Sequence, residues 1–117
     1  MALADLGADV IKVERPGSGD DTRSWGPPWA DGESTYYLGL NRGKRSVALD
    51  FEVPLDLELA RTLIERSDVV VENFRAGLMD ELGLGFDEMQ AANPGLIYCS
   101  IQGFADTGPV ASLAGYD

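Results

Sequence analysis

Four short apolar runs, separated by a loop or by helical segments, set the strongest limit on the fold. We predict strands at residues 10–14, 46–50, 68–72 and 96–101. After Pro54, residues 55–64 carry apolar side chains at helical spacing, and residues 77–82 and 87–92 are predicted to form short helices. Strands of this kind, alternating with helices, are typical of a mostly parallel sheet with flanking helices. The sequence therefore predicts an α/β fold of the Rossmann-like type.

The first residues have the pattern of a helix end. Gly7 stands where a helix C terminus commonly needs a left-handed residue, and a strand follows directly. Because a domain seldom opens on the last turn of a helix, we expect a preceding strand and most of that helix to belong to the same domain. We therefore expect residues 1–117 to be a partial Rossmann-like domain that lacks its start.

A long loop is predicted for residues 16–34, which are rich in Gly, Pro, Ser and Asp. Loops of this length in compact domains tend to be functional or disordered. Trp25 and Trp29 within the loop favour packing, either against the domain itself or against a partner subunit. Stacking of these indoles on a ligand base is the alternative.

The absence of histidine removes several kinds of chemistry. Ser/His and Cys/His nucleophile pairs, imidazole metal ligands and histidine general bases all require that side chain. The single cysteine, Cys99, lies in a predicted strand and is expected to be buried and inert. We expect no metal site. The chain has no apolar run long enough to span a membrane and no secretory signal pattern, so a cytoplasmic protein without a membrane partner is expected.

The net charge of −11 disfavours nucleic acid as a partner, because it repels a phosphate backbone. Six of the nine Lys and Arg residues nevertheless lie in residues 1–45. They indicate either a local anion site for a small phosphorylated ligand or scattered surface charges. These residues are Lys12, Arg15, Arg23, Arg42, Lys44 and Arg45.

The carboxyl ends of the predicted strands supply the candidate ligand-binding residues. In parallel α/β sheets, ligands bind where loop amides and helix N termini leave the sheet. A charged or amide group beside an aromatic ring suits a phosphate and a flat base together, which favours function for residues 73–75. For Phe51 and Phe104 we expect a core or lid role. No dinucleotide or P-loop motif is present, and Gly83 and Gly85 are interpreted as turn residues.

Five segments in order resemble the class III coenzyme A transferases, a family that includes formyl-CoA transferases, carnitine CoA-transferases and alpha-methylacyl-CoA racemase. Together they cover almost the entire chain. The segments are GADVIKVERPGSGDDTRSWGPPW, LNRGKRSVALD, VVENFRAG, NPGLIYCSIQGF and TGPVASLAGYD.

The resemblance implies that this chain is one segment of a larger two-domain subunit. It would supply the coenzyme A binding of a CoA-transferase. Arg15 matches a contact to the nucleotide end of CoA, and Leu49 and Asp50 match residues that line the adenine region. CoA and acyl-CoA would be substrates, with no tightly bound cofactor. The family's subunits form interlocked homodimers, and acyl-CoA and a carboxylic acid would be the small-molecule partners.

Further positions follow from the same resemblance. Asn73, Phe74 and Arg75 match the stretch that holds the nucleotide and pantetheine, and Tyr116 matches the loop near the thioester. Many relatives carry a basic residue a few positions after that stretch, where this chain has Glu81, so one phosphate contact is in question.

No catalytic residue is assigned within this chain. The family's nucleophile is an aspartate in a Gly-Asp pair expected downstream of Asp117, which is itself the neighbour of Tyr116. The implied mechanism is covalent: the aspartate attacks the acyl-CoA thioester to give a mixed anhydride, CoA thiolate converts it to an aspartyl-CoA thioester, and the acceptor acid takes the CoA. The chain alone is then expected to be inactive.

Two alternatives stay open. The chain could belong to a 2-methylacyl-CoA racemase, although the family's racemases carry a histidine where this chain has Tyr116. It could also be a non-catalytic domain that binds CoA or a nucleotide, or a purely structural one. Binding of CoA and of dephospho-CoA separates the binding domain from the structural one. A structural domain binds neither, whereas a domain that recognises the 3′-phosphate distinguishes the two ligands.

Overall fold

The computed structural model describes residues 1–104 and 108–109, which belong to two units, Met1–Asp50 and Phe51–Asp117. Both units contain a pair of parallel strands with helices beside it. The predicted α/β class with parallel strands and flanking helices is confirmed. No helix among the described residues has both the length and the apolar character needed to cross a membrane.

The first unit is organised around two parallel strands, β1 (Val10–Glu14) and β4 (Lys44–Ala48). Val10 lies opposite Lys44 and Glu14 opposite Ala48. A short helix, α1 (Ala2–Asp5), precedes β1 and ends near Gly7, whose φ of 97° is the left-handed conformation predicted for a helix end. The strand β4 begins and ends two residues earlier than the sequence predicted, so the irregular segment that follows it is two residues longer.

The segment predicted as a long loop contains local structure. A 3₁₀ turn, Asp21–Ser24, starts at Asp20, whose carboxylate accepts a hydrogen bond from the Thr22 N–H at 2.7 Å. An antiparallel hairpin follows, formed by β2 (Trp29–Ala30) and β3 (Glu33–Ser34). The loop interpretation was therefore incomplete, because a side-chain cap and a hairpin order part of it.

A helix that the sequence did not lead us to expect, α2 (Thr35–Asn41), follows the hairpin directly. The hydroxyl of Ser34 accepts a hydrogen bond from the Tyr37 N–H at 3.3 Å and donates one to the Trp25 carbonyl at 2.5 Å. Ser34 thus caps the helix and fastens it to the preceding loop. Tyr37 is buried on this helix.

In the second unit, the described residues form three helices and two parallel strands. They are α3 (Pro54–Glu65), β5 (Val69–Glu72), α4 (Leu78–Glu81), α5 (Phe86–Ala92) and β6 (Ile97–Ser100). Val69 lies opposite Ile97 and Glu72 opposite Ser100. Its buried apolar side chains, among the residues with a described position, are Ala60, Ile64, Leu84, Met89 and Leu96.

Cys99 corrects one prediction. It lies in β6, as expected, but its side chain is exposed, so the expectation of a buried thiol was wrong. Within the described residues β6 pairs with β5 alone, and its neighbours Ile97 and Ile101 are exposed as well. An apolar run predicts a strand, but which face of it is covered depends on packing that the run does not encode.

Candidate functional site

The carboxyl ends of β1 and β4 bring together three predicted site residues. Arg15 follows β1, whereas Leu49 and Asp50 follow β4, and the two strands run in the same direction. The Leu49 N–H donates to the Glu14 carbonyl at 3.0 Å, which extends the ladder past the last paired strand residues. Arg15, a strand-end candidate, and Leu49, a candidate from the family resemblance, therefore emerge side by side.

These three residues present different groups. The Arg15 guanidinium is exposed and forms an ion pair with Asp21 at the start of the 3₁₀ turn. Leu49 is buried, so its side chain belongs to the core of the unit. Asp50 is half-buried. Arg15 is thus the member of the group best able to meet an anionic ligand.

A cavity of about 230 Å³ lies at the same strand ends. Gly17 and Gly19 form part of its wall, and because they are glycines this part is bare backbone. Both adopt positive φ in the turn after β1, a conformation that favours glycine. Its polar lining consists of Glu14, Arg15, Ser18, Arg23 and Ser46. One anionic and two cationic side chains therefore surround this opening.

Glu14 is the residue of this site that the sequence analysis underestimated. It entered the sequence analysis only as the last residue of the predicted strand 10–14, yet its side chain is 3% exposed and accepts five hydrogen bonds. Arg23 donates two, from Nε at 2.8 Å and from Nη2 at 3.0 Å. The others come from the Tyr37 hydroxyl at 3.0 Å, the Ser46 hydroxyl at 2.8 Å and the Asp20 N–H at 2.8 Å.

The hydrogen bonds decide the ionisation of this cluster. The Arg23 guanidinium, followed by Ser46 and the Asp20 amide, holds the pKa of Glu14 well below its usual range, although burial acts in the opposite direction. The Glu14 carboxylate in turn raises the pKa of Arg23. Burial alone would raise the pKa of Asp20, but hydrogen bonds from Lys12 and Thr22 lower it to about 2. These groups are therefore charged at neutral pH.

The cations of the first 45 residues do not form one uncompensated anion site. Lys44 donates to the Asn41 side-chain oxygen at 2.9 Å, and the other five each pair with a carboxylate. Of these cations, Arg15 and Arg23 line the cavity at the strand ends. The five ion pairs are Lys12–Asp20, Arg15–Asp21, Arg23–Glu14, Arg42–Asp5 and Arg45–Asp9.

In the second unit, Asn73, Phe74 and Arg75 follow β5 and are all exposed. The Phe74 N–H donates to the Glu72 carboxylate at 2.8 Å, which fixes the turn out of the strand. The Phe74 ring meets the Phe51 ring edge-on, with 6.3 Å between centroids. Phe51 is half-buried, in keeping with a packing role, whereas Phe104 is exposed.

Arg75 forms an ion pair with Glu81, the residue that stands where many members of the resembled family carry a basic side chain. Its guanidinium donates to Glu81 from Nη1 at 3.0 Å and from Nη2 at 2.5 Å, as a bidentate pair. Arg75 lowers the pKa of Glu81, and both side chains are exposed. Glu81 is therefore a carboxylate partner of a predicted CoA contact, and not merely a missing cation.

A cavity of about 450 Å³ lies at the carboxyl ends of β5 and β6. Two of its lining residues, Asp80 and Tyr98, were not anticipated from sequence. The Tyr98 hydroxyl donates to the Leu84 carbonyl at 3.2 Å, and the Phe86 ring packs edge-on against Tyr98 at 6.0 Å. Burial, with the charges of Glu72 and Asp80, raises the pKa of Tyr98 to about 12.

The structure thus groups the predicted site residues at two strand pairs. Arg15, Leu49 and Asp50 lie together in the first unit, and residues 73–75 lie together in the second. That both groups line a single cleft stays a prediction. Tyr116 and Asp117 lie outside the described residues. Among the residues that the structure describes, no group of three or more carboxylate or thiol side chains is arranged to hold a metal ion.

Comparison with known proteins gives a consistent result. The family model described as CoA-transferase family III matches residues 1–117. Succinyl-CoA:glutarate CoA-transferase of Mus musculus is 51% identical over 117 residues, which are 100% of this chain and 27% of that protein. Succinate–glutarate CoA-transferase of Agrobacterium fabrum is 53% identical over 121 residues, covering 98% of this chain and 30% of that protein.

A solved structure shares both sequence and fold. The crystal structure of a CAIB/BAIF family protein from Brucella suis superposes with a TM-score of 0.90 and 54% identity, covering 98% of this chain and 31% of that one. Acetyl-CoA:oxalate CoA-transferase of Acetobacter aceti is 46% identical, over 98% of this chain and 29% of that protein. The chain spans less than a third of the length of these relatives.

Proposed function

Because the chain belongs to CoA-transferase family III, we propose that it forms the CoA-binding part of an enzyme that moves coenzyme A from an acyl-CoA to a carboxylic acid. The observation that carries the proposal is the family match over all of residues 1–117. The strand-end geometry supports it, because Arg15 and Arg75 are exposed cations beside cavities, as the phosphates of CoA require.

We propose a dicarboxylate as the acceptor. Relatives at 51% and 53% identity are named as transferases between succinate and glutarate, and one at 46% is named for oxalate. All three names contain at least one dicarboxylic acid. Succinyl-CoA and glutarate are therefore the first substrates to test.

The proposed role of this chain is binding and orientation. Arg15, Leu49 and Asp50 would hold the nucleotide end of CoA, and Asn73, Phe74 and Arg75 the nucleotide and pantetheine. Tyr116 would approach the thioester. Binding energy from the remote nucleotide can be applied at the thioester, where the chemistry occurs.

The covalent step is assigned to an aspartate expected downstream of Asp117. Its carboxylate attacks the thioester carbonyl, releasing CoA thiolate and leaving an acyl-aspartyl anhydride. The thiolate then attacks the aspartyl carbonyl and releases the donor acid, and the acceptor carboxylate repeats the sequence in reverse. The proposed enzyme is an interlocked homodimer in the cytoplasm.

Calorimetry tests the binding role. The 117-residue chain is titrated with CoA and with dephospho-CoA, and weak binding of CoA is expected. Arg15→Gln and Arg75→Gln should each weaken it, while Arg42→Gln, which removes the exposed pair with Asp5, should not. No binding by the folded chain, or equal effects of all three substitutions, would contradict the proposal.

A second measurement tests the division of labour. The chain incubated with succinyl-CoA and glutarate should form no glutaryl-CoA, because the nucleophile is assigned elsewhere. Turnover by residues 1–117 would show that the catalytic aspartate lies within them, with Asp117 the first candidate.

A further inference from the structure

The Glu14 carboxylate is a buried charge that the proposed chemistry does not use. Its five hydrogen bonds come from three segments of the first unit besides its own strand: the turn after β1, helix α2 and strand β4. Burying a charge is costly unless it is paired and fully hydrogen-bonded, and here it is both. The hydrogen bonds that hold the Glu14 carboxylate in place also hold the positions of the groups that donate them.

Glu14 is also adjacent to predicted ligand contacts on both strands. Arg15 is the next residue, and the Glu14 carbonyl accepts the Leu49 N–H at 3.0 Å. The Ser46 hydroxyl, from β4, reaches the Glu14 carboxylate at 2.8 Å. Glu14 thus ties the end of β1 to the middle of β4 through its side chain and to the residue after β4 through its backbone.

The same carboxylate orders the turn that carries the partner of Arg15. The Gly19 N–H donates to the Arg15 carbonyl at 3.0 Å, and the Asp20 N–H donates to Glu14 at 2.8 Å. Arg23, held by Glu14, lies within the 3₁₀ turn whose first residue, Asp21, pairs with the Arg15 guanidinium. The position of Arg15 therefore depends on Glu14 through a closed ring of contacts.

We propose that Glu14 is a positioning residue for the CoA nucleotide subsite: through Arg23 and the turn after β1, it holds Arg15 beside Leu49 and Asp50. This inference rests on the proposed function. It predicts that loss of the Glu14 charge weakens ligand binding by way of Arg15, and not only by loosening the unit.

A double-mutant cycle separates these two effects. CoA affinity is measured for the 117-residue chain, for Glu14→Gln, for Arg15→Gln and for the double variant. We expect Glu14→Gln to weaken CoA binding by about tenfold, the scale of a lost hydrogen-bonded charge. In the Arg15→Gln background the same change should have less than about a twofold effect, because residues that act as one unit are not additive.

Arg45→Gln is the matched control. It removes an ion pair of the same unit, with Asp9, at the opposite ends of β1 and β4. CoA affinity should be unchanged in this variant. Circular dichroism and thermal melting of each variant show whether it is folded before its affinity is compared.

Arg23→Lys provides a second route should Glu14→Gln fail to fold. It keeps the opposite charge but loses the two-pronged contact, so CoA binding should again weaken in a manner that depends on Arg15. Fully additive effects of the Glu14 or Arg23 change and the Arg15 change would overturn the positioning role. If CoA does not bind the parent chain, or if Arg15→Gln binds as well as the parent, it is the proposed function that fails.

Discussion

Arg75 and Glu81 form a bidentate ion pair in which two guanidinium nitrogens each donate to a different carboxylate oxygen, at 3.0 and 2.5 Å. A phosphate that binds Arg75 must either displace the Glu81 carboxylate or bind close to it and be repelled by its negative charge. We predict that Glu81→Gln tightens binding of CoA by a few-fold, because an exposed pair is weak and the repulsion is removed. Calorimetry with CoA and dephospho-CoA measures it, and an unchanged or weaker CoA affinity would contradict it.

The second prediction concerns acid stability. The folded pKa of Asp20 is about 2 and that of Glu14 is also lowered, so their contribution to the free energy of unfolding is present above the ordinary carboxyl range. It is lost as the pH falls towards 2. Urea denaturation at successive pH values should show this loss, and Asp20→Asn should show less of it. Asp9→Asn, which breaks the exposed pair with Arg45, should retain the parent's dependence.

An alkaline transition is expected from Tyr98. Burial and the nearby charges of Glu72 and Asp80 raise the pKa of Tyr98 in the folded chain to about 12, so the folded state disfavours the phenolate. The contribution of Tyr98 to the free energy of unfolding is complete below pH 10 and decreases as the pH rises through 12. Tyr98→Phe should lack this part of the decrease in the free energy of unfolding. An equal alkaline decrease in Tyr98→Phe and in the parent would refute the assignment, and Tyr36→Phe, at an exposed ring, is the control.

Cys99 should react in the native chain. Because its side chain is exposed on β6, a thiol reagent such as dithiobis-nitrobenzoate is expected to modify it without denaturant. The measurement is the released chromophore per chain before and after unfolding. Modification that requires denaturant would restore the original expectation of a buried thiol, and Cys99→Ser gives the baseline.

Met89 should be among the most costly positions to truncate in the second unit. It lies on α5 with 0% of its surface exposed. Met89→Ala leaves a cavity, and we expect a loss of about 2–5 kcal/mol in the free energy of unfolding. Leu55→Ala, at a side chain that is 77% exposed, should change it by less than about 0.5 kcal/mol. Comparable losses from the two variants would contradict the packing described.

The sequence predicted the elements whose signal is local. The strand Val10–Glu14 has the predicted bounds, Val69–Glu72 begins one residue later than predicted, and Ile97–Ser100 is one residue shorter than predicted at each end. Helix α2 was missed because its sequence, TYYLGLN, includes Gly39 and has no clear apolar periodicity. The available signal was the capping residue Ser34 just before it.

The candidate site was predictable only in part for a physical reason. The rule that ligands bind at strand ends requires only strand positions, and so it selected Arg15 and residues 73–75. The environment of Glu14 depends on which cation reaches it through space. Its partners Arg23, Tyr37 and Ser46 are distant in sequence, and no spacing indicates that they converge.

The pairing of Val10 with Lys44 has a consequence for the order of folding. These two strands are parallel, so the turn after β1, the hairpin and α2 all lie between them in sequence. Closing that segment has an entropic cost, which opposes formation of the first ladder hydrogen bond. The hairpin and α2 need only local contacts. We therefore expect them to form early and the β1–β4 ladder to form in the rate-limiting step.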